Sequence, residues 1–442
     1  MTHQKGRRLY LHRMAGVGLG LIISFLAFGD ATQVQAADYD HFGNGVTTYE
    51  GSKTCNACHL DKAKEVYASE HYQWKGKLGA INDFCTYPDN NWLFNFPPNS
   101  LGAAGCATCH VGFLDAKPPF PQASADSAAY EAALEKIDCL MCHSDTYNHV
   151  GQTVNGEATL VPDATSTANM PDILAAIGKP SKAACLKCHA KAGGGNGVKQ
   201  GDLDLSMANP DINVDVHMSA MGANLNCVSC HKTQSHRIAG KGADLRLADS
   251  TTRVDCSNCH GTRPHAQINE DLDKHREKVH CTVCHIPSYA KGTATEFNRD
   301  YEFPELLAGK YEGKRTLGAN LIPKLLRYDG KSFFYKYNTS FSVKAPDGNY
   351  LMAGPTSVVP NTSLGDSARY YPFKVHTARV AVDSQNRLIP VNAEQFWSTG
   401  VLDGAISKFV NTTRYLGLYH QVAPKEMARD ACVQCHRHGI PD

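Results

Sequence analysis

Sixteen of the 17 cysteines fall into eight Cys-x-x-Cys-His motifs. The pairs are Cys55 and Cys58, Cys106 and Cys109, Cys139 and Cys142, Cys185 and Cys188, Cys227 and Cys230, Cys256 and Cys259, Cys281 and Cys284, and Cys432 and Cys435. Each is followed at once by a histidine: His59, His110, His143, His189, His231, His260, His285 and His436. Two thiols at this spacing can add across the two vinyl groups of one haem, and the adjacent imidazole is then placed to bind the iron. A zinc ribbon pairs CxxC motifs and needs no histidine after each; disulfides need none at all. The expected cofactor is eight covalently attached haem c groups.

That number dictates the elements that must position them. Successive motifs begin 51, 33, 46, 42, 29, 25 and 151 residues apart, and the text between them shows no self-similarity. Roughly 50 residues per haem are too few for eight separate globules. The haems must therefore pack against one another and supply much of the apolar core. The expected fold is mainly α with extensive irregular loops, a multihaem core with short helices carrying the motifs. Residues 37–290 would hold seven motifs. Residues 291–442 would form a mixed α/β insertion that returns to the core with the eighth.

Composition narrows the classes further. Lys+Arg 44 against Asp+Glu 43 leaves a net charge of +1, so no basic surface points to nucleic acid. Hydrophobic content of 42% and charge of 20% are those of a globular chain. Residues 1–36 read as an export signal: Lys5, Arg7, Arg8 and Arg13 precede the apolar run Met14–Phe28, and Val34-Gln35-Ala36 fits a cleavage site. An uncleaved N-terminal anchor is the alternative. The expected compartment is the periplasm.

Local patterns add detail. Leu60–Trp74 reads as a helix, and so does Ala125–Ile137. Lys331–Met352 alternates aromatic and polar residues around Asp347-Gly348, a hairpin signal. Tyr370–Val391 reads as extended and Ala405–Tyr419 as helical.

A purely electron-carrying haem needs a second axial ligand. Eleven histidines remain for that role: His41, His71, His149, His217, His236, His265, His275, His280, His376, His420 and His438. His71 lies 12 residues after His59, about 18 Å along a helix, so it must serve another haem. His280 and His236 sit too close to their own motifs to reach round them. Distal ligands are thus expected to tie one segment to another segment's haem. Two features stand apart: the unpaired Cys85, and the polar run Ser144-Asp-Thr-Tyr147-Asn-His149 after the third motif.

These residues resemble the octahaem tetrathionate reductase family of periplasmic cytochromes over nearly the whole mature chain. The resemblance rests on Cys55-Asn-Ala-Cys-His59, Ser69-Glu-His71-Tyr-Gln-Trp74, Asn82-Asp-Phe-Cys85 and Ile137-Asp-Cys-Leu-Met-Cys-His143. It continues in Asp215-Val-His217-Met, Ser235-His236-Arg-Ile, Val279-His-Cys-Thr-Val-Cys-His285-Ile-Pro, Phe373-Lys-Val-His376 and His420-Gln-Val-Ala-Pro-Lys425. It implies seven haems with two histidine ligands and one catalytic haem. The catalytic one would be the second, Cys106 to His110, with Cys85 beside its open face. The distal set would be His71, His217, His236, His265, His275, His376 and His420. The family places a distal lysine shortly after the third motif; here no lysine occurs between His143 and Lys179, and Tyr147, Asn148 and His149 occupy that stretch.

Two functions follow as expectations. In one, the chain is a periplasmic multi-electron reductase of a small sulfur or nitrogen oxyanion such as tetrathionate, nitrite or hydroxylamine. Cys85, Tyr147 and His149 would be its catalytic residues, and a periplasmic or membrane-bound donor would supply electrons. In the other, every iron is saturated and the chain is an electron-transfer cytochrome without catalysis.

Overall fold

The computed structural model describes residues 40–73, 77–78, 81–82, 94–95, 109, 111–116, 121, 127–240, 254–334, 339–389 and 391–428. The N-terminal segment 1–36, Cys85, Cys106, His110 and the eighth motif, with Cys432, Cys435 and His436, lie outside them. Among the described residues no helix is long and apolar enough to cross a membrane.

The motifs sit on short helices. These are α1 (Ser52–Tyr67), α3 (Leu140–His143), α4 (Lys182–His189), α5 (Cys227–Cys230), α6 (Ser257–His260) and α7 (Thr282–His285); α2 (Ser127–Leu134) delivers the third motif. Four residues are about one turn, so most of these helices carry the motif and nothing else. Only α1 continues well past its histidine, and it kinks there, at His59 (φ −122°, ψ 28°). The helix expected over Leu60–Trp74 therefore begins earlier, ahead of the motif, and breaks at Ala68-Ser69 before a single turn at Glu70–Gln73. Its start is fixed by Gly51, whose φ of +67° suits glycine and whose missing Cβ leaves room for the Phe113 ring and the Glu135 carbonyl. Ser52 N–H then donates to Ile137 O at 2.7 Å, joining the first motif to the approach of the third.

The hairpin β1 (His149–Val154) and β2 (Glu157–Pro162) follows the third motif, in register from His149↔Pro162 to Val154↔Glu157. Leu114 and Leu160 exchange backbone hydrogen bonds at 2.8 and 2.7 Å, so this hairpin holds the chain that leaves the second motif.

Residues 295–417 supply a seven-stranded sheet, larger than any helical group. Its strands are β3 (Thr295–Leu307), β4 (Lys310–Gly318), β5 (Lys324–Tyr328), β6 (Ser332–Phe334), β7 (Tyr350–Pro355), β8 (Arg369–Val382) and β9 (Lys408–Gly417). The order is β6-β7-β9-β8-β3-β4, and β5 pairs with the first half of β8. β7·β9 and β8·β3 are parallel, and the other pairs antiparallel. The expected hairpin is present: β6 and β7 pair from Ser332↔Pro355, and Gly348 turns at φ +84°. Of the stretch Tyr370–Val391, read as extended, the part up to Val382 is strand β8, and the chain then turns at Asp383–Asn386.

Two expectations are corrected. The fold is not mainly α, because strands dominate the region after the seventh motif. Ala405–Tyr419 is not a helix; it contains β9, paired with β8 from Phe373↔Gly417 to Val382↔Lys408. This central strand buries Val410, Thr412, Thr413, Tyr415, Leu416 and, just past its end, Leu418, so both faces are covered and no two-residue alternation shows in the sequence.

Small apolar clusters hold these parts. Tyr49, Tyr67, Tyr72, Phe113, Leu134, Leu140 and Tyr147 pack around α1–α3. Tyr301, Phe341, Val380 and Phe396 form one sheet cluster, and Tyr328, Leu351, Phe373 and Tyr415 another.

Candidate haem sites

Five motif histidines each face one imidazole from a remote segment. The ring centres are 6.5 Å apart for His59 and His41, 6.2 Å for His189 and His71, and 6.2 Å for His231 and His420. They are 5.9 Å apart for His260 and His217, and 6.1 Å for His285 and His265. A metal held between two imidazoles by bonds of about 2 Å puts their ring centres about 6 Å apart, so the five spacings fit a two-histidine iron. The residues present thus fit haem c: two thiols, a motif imidazole and a second imidazole across from it.

The third motif belongs to the same scheme. His236 lies near enough to His143 to lower its pKa, after burial, the larger cause. His231 and His285 are lowered likewise, by burial first and then by the imidazoles they face. A lowered value keeps the ring neutral, the form that binds metal. His420 goes the other way: burial is the largest single influence and lowers it, but the hydrogen bond to Asp202 and the negative charge of Asp202 and Asp215 together outweigh that and raise it.

The far side of these rings is also held. His143 Nδ1 is 2.8 Å from Gly178 O, and His231 Nδ1 is 2.8 Å from Ala239 O. On the remote histidines the partners are carboxylates: Glu65 at 2.8 Å from His236, Asp273 at 3.2 Å from His265, and Asp202 at 3.4 Å from His420. Fixing Nδ1 orients the ring and leaves Nε2 for metal.

The thiols of different motifs also meet. Cys55 lies beside Cys139, Cys109 beside Cys188, Cys185 beside Cys227, and Cys281 beside Cys256. Cys142 lies within electrostatic reach of Cys185 and Cys188, and Cys230 within reach of Cys259. The attachment points therefore run first, third, fourth, fifth, sixth, seventh, and the second joins at the fourth. Two second thiols stand at the edges of this line. Cys58, on α1, is exposed, and Cys284, on α7, is half-buried. Each completes the pair its own haem needs, with Cys55 and Cys281 as first thiols. The second motif's first thiol, Cys106, and the whole eighth pair, Cys432 and Cys435, lie outside the described residues.

The remaining sequence candidates fall as follows. His41, which the resemblance leaves without a role, stands opposite His59. His376 lies on β8 with Nε2 3.0 Å from Glu296 Oε1, and neither it nor His275 is opposite a described motif histidine. His280 stacks on Tyr371 at 4.3 Å, with Nδ1 2.7 Å from Thr282 Oγ1. Tyr147 and His149 are both buried and both bound to Asp138, at 2.9 and 2.7 Å. Sequence reasoning misses Asp138, although it directly precedes Cys139. Cys85 lies outside the described residues. Asp202, Asp204 and Asp215, all buried, spend their oxygens on backbone and Gln421 donors. Among the described residues no group of His, Cys, Asp and Glu is arranged to hold a separate metal ion.

Known proteins place this arrangement. The family described as "Cytochrome c bacterial" matches residues 300–439. An uncharacterized protein of Archaeoglobus fulgidus is 29% identical over 263 residues, which cover 49% of this chain and 85% of that one. The crystal structure of octahaem cytochrome c from Shewanella oneidensis superposes with a TM-score of 0.68 at 24% identity, covering 91% of this chain and 94% of that chain. The resemblance carried by the motifs is thereby borne out in the fold. The chain thus has the fold of that octahaem cytochrome c, and its motif pattern and paired imidazoles are those of a multihaem c-type cytochrome.

Proposed function

We propose that this chain is a periplasmic octahaem reductase that gathers electrons along a line of saturated sites and delivers them to a small sulfur oxyanion or oxidised nitrogen compound at the second motif. When bound, the haems supply the electron-carrying irons and, at one open position, an iron that can take substrate. The observation that carries the reading is the branch at Cys109–Cys188. The second site meets the line only through the fourth motif among the described thiol contacts. Sites along the line have paired imidazoles and suit transfer; a site at the end of a branch suits chemistry. The substrate class is tetrathionate, nitrite or hydroxylamine, by the resemblance. Cys85 would stand beside the reacting position as a thiolate able to attack a sulfur–sulfur bond. The electron donor would be a periplasmic or membrane-bound partner.

The conduit reading has one observation in its favour. His149 is tied to Asp138 through Nδ1, as His236, His265 and His420 are tied to Glu65, Asp273 and Asp202. That is the pattern of a ligand, and an eighth paired site would leave no open iron.

Carbon monoxide separates the two. The reduced holoprotein, which by mass should carry about eight haems, is expected to bind about one carbon monoxide per chain, one for each open axial position. No binding, together with no reduction of tetrathionate, nitrite or hydroxylamine, would leave the conduit.

A further inference from the structure

A buried polar cluster centres on Asp138, 1% exposed, and the reductase reading gives this carboxylate no task. Tyr49 Oη donates to Oδ1 at 2.7 Å. Tyr147 Oη donates to Oδ2 at 2.9 Å, and His149 Nδ1 lies 2.7 Å from the same oxygen. Two hydroxyl donors and one imidazole nitrogen converge on the two carboxylate oxygens, which can accept from all three. The Lys187 ammonium nearby donates to the Ser144 and Tyr147 carbonyls at 2.5 and 2.7 Å. The backbone fixes the position too: Asp138 N–H donates to Val111 O at 2.7 Å, and Leu140 N–H donates to Tyr49 Oη at 3.3 Å.

This carboxylate lies between two attachment sites. Cys139 is its neighbour in the chain, and Cys55 lies beside Cys139. Cys55, Cys139 and Cys142 all pack against the cluster that contains its partners Tyr49 and Tyr147, so the carboxylate sits beside attachment points of both motifs. A charge in a low-dielectric interior acts over such distances far more strongly than in water. Oxidised haem iron carries one more positive charge than reduced iron, so a fixed negative charge beside it favours the oxidised state.

We propose that Asp138 sets the reduction potentials of the first and third haems, holding them below the values they would have beside a neutral residue. Tyr49, Tyr147 and His149 keep the carboxylate in place and partly neutralise it. The consequence is direction: electrons leave this pair for the rest of the line. The proposal needs covalent haem at the first and third motifs and does not rest on the reductase reading, because potentials are read without turnover.

The test is spectropotentiometry of the holoprotein, with wild type and Asp138→Asn compared wave by wave. Asn keeps the shape and removes the charge. One or two waves are expected to move to higher potential while the others stay. Unchanged waves in a variant that retains its haems would overturn the proposal, and so would a uniform shift of all of them. Should Asp138→Asn fail to mature, Tyr147→Phe decides. It keeps the charge and removes one donor, so the same waves should move to lower potential; no shift, or an upward one, overturns the proposal.

Discussion

His71 and His189 face each other with ring centres 6.2 Å apart, although His71 follows the first motif and His189 belongs to the fourth. Helix geometry explains why His71 is not opposite His59. The chain from His59 runs on through α1, carrying His71 away from its own motif, and His41 takes the place across from His59. The N-terminal part of the chain thus ties two sites at once.

If the two histidines serve different irons, their losses should add. His71→Ala and His41→Ala in the holoprotein are each expected to convert about one haem from low to high spin, since each removes one axial ligand. The double variant should convert about two. Electron paramagnetic resonance of the oxidised protein would count them, and a double variant no different from either single one would place both histidines on one iron.

The motifs, the helices that carry them and the hairpin at Asp347-Gly348 are legible in the sequence because each has a local signature. The pairing of imidazoles is not, since it depends on which segments lie across from one another. His41 shows this: nothing near it in the chain points to His59. β9 fails for another reason. With both faces covered it has no polar alternation, and its run of residues reads equally well as helix. Asp138 is invisible because its three partners, Tyr49, Tyr147 and His149, acquire meaning only when they converge.

Lys374 is the boldest polar burial in the sheet region. Its side chain on β8 is fully buried, and burial pushes its pKa down to about 7. Nζ donates to Val198 O at 2.6 Å, Lys199 O at 2.9 Å and Thr295 Oγ1 at 2.6 Å, so each donor is used, and the sheet is bolted to the loop after the fourth motif. Lys374→Met is expected to lower stability by about 1–3 kcal/mol, the cost of leaving buried acceptors unpaired. Denaturant midpoints of the two holoproteins would measure it. A more stable methionine variant would show that burying the amine costs more than its bonds return.

Asp202 holds the segment that brings His420 to His231. Its Oδ2 accepts the backbone N–H groups of Tyr419 and His420 at 2.7 and 2.9 Å and lies 3.4 Å from His420 Nδ1. The residue is 1% exposed, so water cannot replace it without rearrangement. Asp215 backs it up by accepting Val422 N–H at 3.1 Å. Removing one carboxylate therefore leaves the segment attached but lets the ring turn. Asp202→Ala is expected to leave two half-buried N–H groups without their acceptor, at up to about 1–3 kcal/mol each, and to make the fifth haem partly high-spin. Asp202→Asn keeps an acceptor for the backbone and loses the charge, so it should preserve the low-spin state and bring the His420 pKa down. If Asp202→Ala leaves every haem low-spin, the hold on His420 comes from Asp215 and the sheet instead.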